Sequence, residues 1–368
     1  MNKHYRILFI LHLPPPVHGA AMMGEYIKGS RLINQAYDCN YINLTMASSI
    51  ENVGKISLQK FLPLFKLLQA IRREVKERHP DLVYITPNAK GNAFFKEWII
   101  VKMLKRMGCR IVAHYHNKGV SSVHDKYVYN WLYKSFFKNL KIIILADCLY
   151  DDIKKYVKRE DVFICPNGIL DNHPIKKINS KPDRIILFLS NLIRSKGVVD
   201  LLDACKMLKE QGFDFSCTFV GAESKEITKT VFEEYVRQRG LQNYIQYAGP
   251  KYGSEKMNII QQSDIFVFPS YYPKECFPLV LLEAMEYSLP CISTNEGAIP
   301  EIIDDGETGY VICKNDVEQL SRKICELMNN EDLQLRMGTN AREKFERLYT
   351  LDKFESRLKE ILENILLN

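Results

Sequence analysis

Residues 264–285 read Asp264-Ile-Phe-Val-Phe268-Pro-Ser270-Tyr-Tyr-Pro-Lys-Glu275-Cys276-Phe277-Pro278-Leu279-Val280-Leu-Leu-Glu283-Ala-Met285. The apolar run up to Phe268 has the length of a strand covered on both faces. Pro269-Ser270 ends it, and a loop carrying Glu275 follows. A helix opens near Pro278, where a missing N–H is harmless because first-turn amides lack an intrahelical acceptor. The amides of Phe277, Leu279 and Val280 are then free donors at a helix N-terminus, and with the helix dipole they form a phosphate site. Glu275, ahead of the helix, can hydrogen-bond sugar hydroxyls. Glu283, about one turn in and framed by apolar neighbours, can accept two hydroxyls of a ribose. A solvated loop carboxylate and a solvated helix residue are the bland alternatives for each glutamate taken alone.

The same strand–loop–helix rhythm extends in both directions. Upstream, apolar runs at 5–11, 81–86, 110–115, 141–145 and 162–165 alternate with helical patterns at 20–29, 57–79, 91–107, 127–138 and 149–156. Strands are expected again at 184–189, 215–220, 245–247, 265–268, 290–293 and 309–312. Helices are expected at 198–211, 228–239, 254–262, 279–287, 316–329 and 332–345. Continuous apolar strands alternating with helices predict parallel sheets in an α/β fold. The polar, Pro-punctuated stretch 170–182 reads as a linker. The expectation is two doubly wound, Rossmann-like domains, 1–172 and 183–350, facing one another across an interdomain cleft that forms the ligand site. The last helical pattern, 351–368, is expected to pack back on the first domain.

Composition agrees with a globular enzyme-sized chain of 368 residues, 46% hydrophobic and 26% charged. No apolar run approaches the roughly 20 residues of a membrane span. The N-terminus is basic and then apolar, but it runs into Pro14-Pro-Pro16 without a small-residue cleavage site and reads as a first strand. Ten cysteines are scattered without a C-x-x-C pair, as expected of reduced thiols in the cytoplasm. Residues 1–180 hold 28 Lys and Arg against 14 Asp and Glu, a net charge of +14, whereas the remainder carries −7. Such asymmetry predicts two domains with different partners.

Several further segments carry chemistry. The turn Ser190-Asn191-Leu-Ile-Arg194-Ser-Lys196-Gly197 follows a predicted strand and places cations where they can neutralise a diphosphate. The loop 14–24, with Gly19, opens a helix after the first strand; an ordinary strand–helix turn is the alternative reading. It lacks G-x-G-x-x-G, so a nicotinamide fingerprint is absent. His114 and His116 end a strand on one face of the sheet. No third ligand stands at zinc spacing beside them.

Taken together these segments resemble the retaining glycosyltransferases of family 4. The resemblance rests on Glu275-x7-Glu283 flanked by Pro269-Ser270 and Ala284-Met285, on Cys165-Pro-Asn-Gly168, on Ser190–Gly197, on Pro290–Glu301 and on Asp305–Tyr310. It covers the second domain throughout and is looser in the first. The resemblance implies the GT-B fold and transfer from a nucleotide-sugar donor, UDP in preference to GDP, to a glycan or lipid-linked acceptor hydroxyl, in surface polysaccharide assembly. It implies that Lys196 meets the diphosphate, that Gly19 approaches the donor phosphates and that His116, with His114 as second choice, faces the transferred sugar. Gly249 and Pro250 would read the base. The family's usual arginine falls on Asn191, and Arg194 stands one turn further on as its substitute. No D-x-D is present, so neither a metal nor another cofactor is expected.

Two basic, aromatic-rich stretches, 55–78 and 118–141, fit peripheral contact with an anionic membrane face and equally a soluble surface over buried aromatics. No nucleic-acid motif accompanies them. The alternatives to a transferase are an epimerase-like enzyme on the same architecture and a degenerate binding protein.

Overall fold

The computed structural model describes residues 4–16, 18–44, 62–173 and 184–368. Residues 57–61 of one expected helix and 174–182 of the expected linker lie outside these. The chain forms two compact units, 1–167 with 351–368 and 168–350.

The first unit holds β1 (Arg6–Leu11), α1 (Gly19–Gly29), α2 (Arg31–Ala36), β2 (Asp38–Asn43), α3 (Leu62–Arg78), β3 (Leu82–Ile85), α4 (Asn92–Arg106), β4 (Ile111–His114), α5 (Tyr127–Phe137), β5 (Lys141–Ile144), α6 (Tyr150–Ile153) and β6 (Val162–Ile164). All its strand pairs are parallel, in the order β2-β1-β3-β4-β5-β6. The central strands are buried along their whole length, as their unbroken apolar sequence requires. β2 is different. It is an edge strand, half-exposed throughout, and its polar sequence gives no strand signal.

The second unit holds β7 (Ile185–Leu189), α7 (Val198–Glu210), β8 (Ser216–Val220), α8 (Lys229–Gln238), β9 (Ile245–Gly249), α9 (Gly253–Gln262), β10 (Ile265–Phe268), α10 (Leu279–Glu286), β11 (Cys291–Thr294), α11 (Ile299–Ile302), β12 (Gly309–Ile312), α12 (Val317–Met328) and α13 (Glu331–Leu348). Its sheet, again parallel, runs β12-β11-β10-β7-β8-β9. Strand order therefore reverses between β7 and β10, whereas in the first unit it reverses between β1 and β3. In open parallel sheets ligands settle beyond the carboxyl ends of the strands at such reversals.

The final helix, α14 (Leu351–Leu367), belongs to the first unit, where it contacts α2 and buries Phe354, Leu358 and Leu362. Residues 168–173 pack with the second unit. There Arg342 clasps the Asp171 carboxylate at 2.7 and 2.9 Å, and buried Glu286 accepts the backbone N–H and the side-chain amide of Asn172. All ten cysteines are free thiols. No described helix is long and apolar enough to cross a membrane.

Candidate active site

The β7/β10 reversal brings two loops together. The turn after β7 closes as a short 3-10 helix, Arg194–Lys196, and ends on Gly197. Gly197 has φ +87°, and a Cβ there would lie 2.4 Å from the Pro269 carbonyl oxygen, so only glycine fits. The backbone N–H of Tyr271 donates to Ser195 O at 2.8 Å. The turn after β7 and the loop after β10 are thus locked side by side.

That lock sets Lys196 against Glu275. The Lys196 ammonium pairs with Glu275 Oε2, and both side chains are largely buried. Buried Ser270 donates its hydroxyl to the same Oε2 at 3.2 Å and accepts the Tyr272 N–H at 3.3 Å. Lys196 Nζ also lies 4.6 Å from the Tyr272 ring centre and 5.4 Å from that of Phe268, a cation–π environment. The Glu275 loop is held from the other side by the β11–α11 turn. There Ala298 N–H donates to Cys276 O at 2.8 Å, and a Cβ on Gly297, at φ +57°, would meet Glu275 O at 2.4 Å.

Cys276, Phe277 and Pro278 are buried and lead directly into α10. Pro278 is the N-cap, and no side chain caps the first turn. A proline cap leaves the Leu279 and Val280 amides without the side-chain acceptor that Ser or Asp supplies at most helix starts. One turn in, Glu283 is ion-paired with Lys256 of α9 at 2.8 Å. The sequence signalled the glutamate but not this partner.

The remaining second-unit candidates stand further along the same edge. Asn191 Oδ1 accepts Ala222 N–H at 3.3 Å. Gly249, at φ +69°, ends β9 and accepts Gly221 N–H at 3.0 Å, and exposed Pro250 follows it. Arg194 is engaged elsewhere. Its guanidinium donates to Tyr235 Oη at 2.6 Å and pairs with Glu226 at 3.5 Å. It would have to leave Glu226 to reach a phosphate beside Lys196.

In the first unit the carboxyl ends of β1 and β4 gather histidines. His114 is fully buried at the end of β4, with its Nδ1 2.5 Å from Tyr84 Oη. The His116 ring lies 4.2 Å from that of His114. Neither ring nitrogen of His116, nor Asn167 Oδ1, has a hydrogen-bond partner among the described residues. Burial pushes the His116 pKa down to about 4; neighbouring His18 reinforces the shift and Asn167 opposes it.

Sequence reading missed His12 and His18. His12, just beyond β1, takes a hydrogen bond from Asn88 Nδ2 at 3.2 Å, and burial lowers its pKa to about 3. His18 caps α1 by accepting Ala21 N–H at 3.3 Å, next to exposed Gly19. Buried Glu97 of α4 holds Asn88 through its N–H at 2.5 Å and its Nδ2 at 2.9 Å, and burial raises the Glu97 pKa to about 7. The signal for His12 was its position, a polar residue immediately after an apolar strand.

A lysine, a carboxylate and an uncapped helix start at the strand reversal of a parallel α/β unit form an arrangement able to receive a phosphate. Residues 171–344 match the family described as glycosyl transferases group 1. The putative colanic acid biosynthesis glycosyltransferase WcaL of Salmonella typhimurium is 27% identical over 186 residues, 49% of this chain and 45% of that protein. The Escherichia coli O-antigen chain mannosyltransferase C is 26% identical over 300 residues, 77% of this chain and 76% of that one. The chain spans about half the length of the first of these curated relatives. Among solved structures, Anabaena HepE in complex with UDP and glucose superimposes with a TM-score of 0.73 at 17% identity, covering 98% and 100% of the two chains. The fold is GT-B.

Proposed function

We propose that the protein is a retaining glycosyltransferase that moves a sugar from a nucleotide-diphosphate sugar, UDP-linked by preference, to a hydroxyl of a glycan or lipid-linked acceptor in surface polysaccharide assembly. The observation that carries this reading is the Lys196–Glu275–Ser270 group at the β7/β10 reversal, adjoining the uncapped start of α10. A diphosphate at that helix start meets free amides, the helix dipole and the Lys196 ammonium. These supply the charge stabilisation that a leaving diphosphate needs, without a metal or other cofactor. Glu283 would hold the ribose, Gly249 and Pro250 the base, and Glu275 the sugar hydroxyls. His116, neutral at pH 7, would face the sugar from the first unit.

In the proposed step the bond from the anomeric carbon to the β-phosphate oxygen breaks, and that oxygen takes both electrons. The acceptor oxygen bonds to the same face of the oxocarbenium-like carbon. Its proton passes to the departing phosphate. The anomeric configuration is thereby retained.

The test is calorimetry with UDP and GDP, followed by a nucleotide-sugar panel with and without chelator. Micromolar UDP binding lost in Lys196→Ala, with chelator-resistant transfer and a retained anomer by NMR, is expected. Donor turnover without acceptor dependence would instead support the epimerase reading, and binding without turnover a degenerate transferase. A peripheral position on a membrane would suit a lipid-linked acceptor.

A further inference from the structure

We infer that the outward face shared by α4 and α5 docks the protein onto an anionic lipid surface, with Trp98, Trp131, Tyr127 and Val128 entering the headgroup region. The inference deepens the proposed peripheral position and is independent of transfer activity.

α5 is apolar on both sides. Leu132, Tyr133, Phe136 and Phe137 face inward and are buried. Tyr127, Val128 and Trp131 remain 85%, 56% and 54% exposed. A helix that serves only the core carries polar residues on its outer face. Large apolar side chains clustered at helical spacing there mark a contact surface.

The cluster continues onto α4. Trp98 lies 5.7 Å from Trp131, ring to ring, and donates its indole N–H to Ser135 Oγ at 2.6 Å. Lys102 sits 4.5 Å over the Trp98 ring and 6.0 Å from that of Trp131. Lys105 donates to the carbonyls of Ser135, Phe136 and Lys138 at 2.6–2.7 Å, tying α4 to the end of α5. The two helices therefore present their aromatics as one fixed face.

Charge decides the occupant. The helices α4 and α5, with the Lys138 that ends α5, hold six Lys and Arg and one acidic residue, Glu97, which is fully buried. Exposed Lys134 and Lys138 continue the Trp131 side of α5. Two copies of such a face would oppose like charges. An anionic bilayer complements them, and its interface is where an indole or phenol keeps its polar edge wet while a lysine stem lies along apolar surface.

Both tryptophans of the chain lie on this face, so tryptophan emission, excited selectively, reports on it alone. The experiment adds vesicles of phosphatidylcholine, alone or mixed with phosphatidylglycerol, to the full chain. Cosedimentation and emission are read together. Binding to the anionic vesicles only, with a blue shift and quenching by brominated lipid, is expected. Lys134→Gln with Lys138→Gln should weaken partition roughly 25-fold, and Tyr127→Ser with Trp131→Ala about tenfold, each with unchanged circular dichroism. Vesicle binding without an emission change would overturn this face while sparing the peripheral reading. Absence of vesicle binding, or self-association that consumes the face, would overturn the inference outright. UDP binding, measured on the same samples, reports separately on the donor site.

Discussion

The two sheets place very different chemistry at equivalent positions. At the carboxyl end of the second, a lysine and a carboxylate form an ion pair beside an uncapped helix start. At the carboxyl end of the first, His12, His114 and His116 are each driven neutral by burial, and Glu97 is held by the amides of Asn88 with its pKa raised to about 7. One end is built to meet charge. The other end is lined by neutral imidazoles. A doubly wound sheet supplies the location, and the residues beyond its strands decide the ligand.

The largest break in this contrast is expected at Lys196. Lys196→Ala should lower kcat/KM by about 10²–10³-fold and remove calorimetric UDP binding, with His116 chemistry untouched. Glu275→Gln keeps the shape and the Ser270 contact but removes the charge. It should lower kcat by about 10²-fold with a smaller effect on UDP affinity, read from steady-state kinetics beside calorimetry.

On the neutral side, His116→Ala should lower kcat by about 10–10²-fold, within the range of a single positioned polar group. Because the native His116 pKa lies near 4, the pH–rate profile should show no His116 limb between pH 5.5 and 8.

Stability should follow the same asymmetry. The native pKa values of His12 and His116, about 3 and about 4, lie below the usual 6.5. The unfolded chain therefore takes up protons first as pH falls below 6.5, and stability drops from there toward pH 4, with no loss from these groups above 6.5. Glu97, raised from 4.5 to about 7, acts oppositely and adds stability as pH falls from 7 to 4.5. Two histidines outweigh one carboxyl. Calorimetric scans should show Tm falling below pH 6.5, and His116→Gln should flatten that fall by on the order of 3 kcal/mol.

The smallest effect is expected at Ser270, which orients Glu275 and accepts the Tyr272 N–H. Ser270→Ala should lower kcat about three- to tenfold, leave KM for the donor nearly unchanged and be rescued by Thr.

Much of the second unit could be read from local sequence. The β10–α10 stretch and the turn ending on Gly197 follow local rules of strand ends, helix starts and positive φ, and the structure places them as those rules require. The first unit was harder. β2 is half-exposed and polar, so no apolar run announces it. His12 and His18 matter through residues distant in sequence, Asn88 and His116 among them, which no local window brings together. The Lys256 partner of Glu283 depends on how α9 packs against α10. The position of each strand-order reversal is likewise a tertiary property. Short segments foretell that sheets exist, but not where their order turns.

The most direct test of the central claim is a crystal structure with UDP bound, solved in the presence of chelator. It should place the diphosphate within hydrogen-bonding distance of Lys196 Nζ and the Leu279 and Val280 amides, with Glu275 released from its lysine. A diphosphate found away from the segment between Glu275 and Glu283, or bound only when a divalent cation is restored, would contradict it.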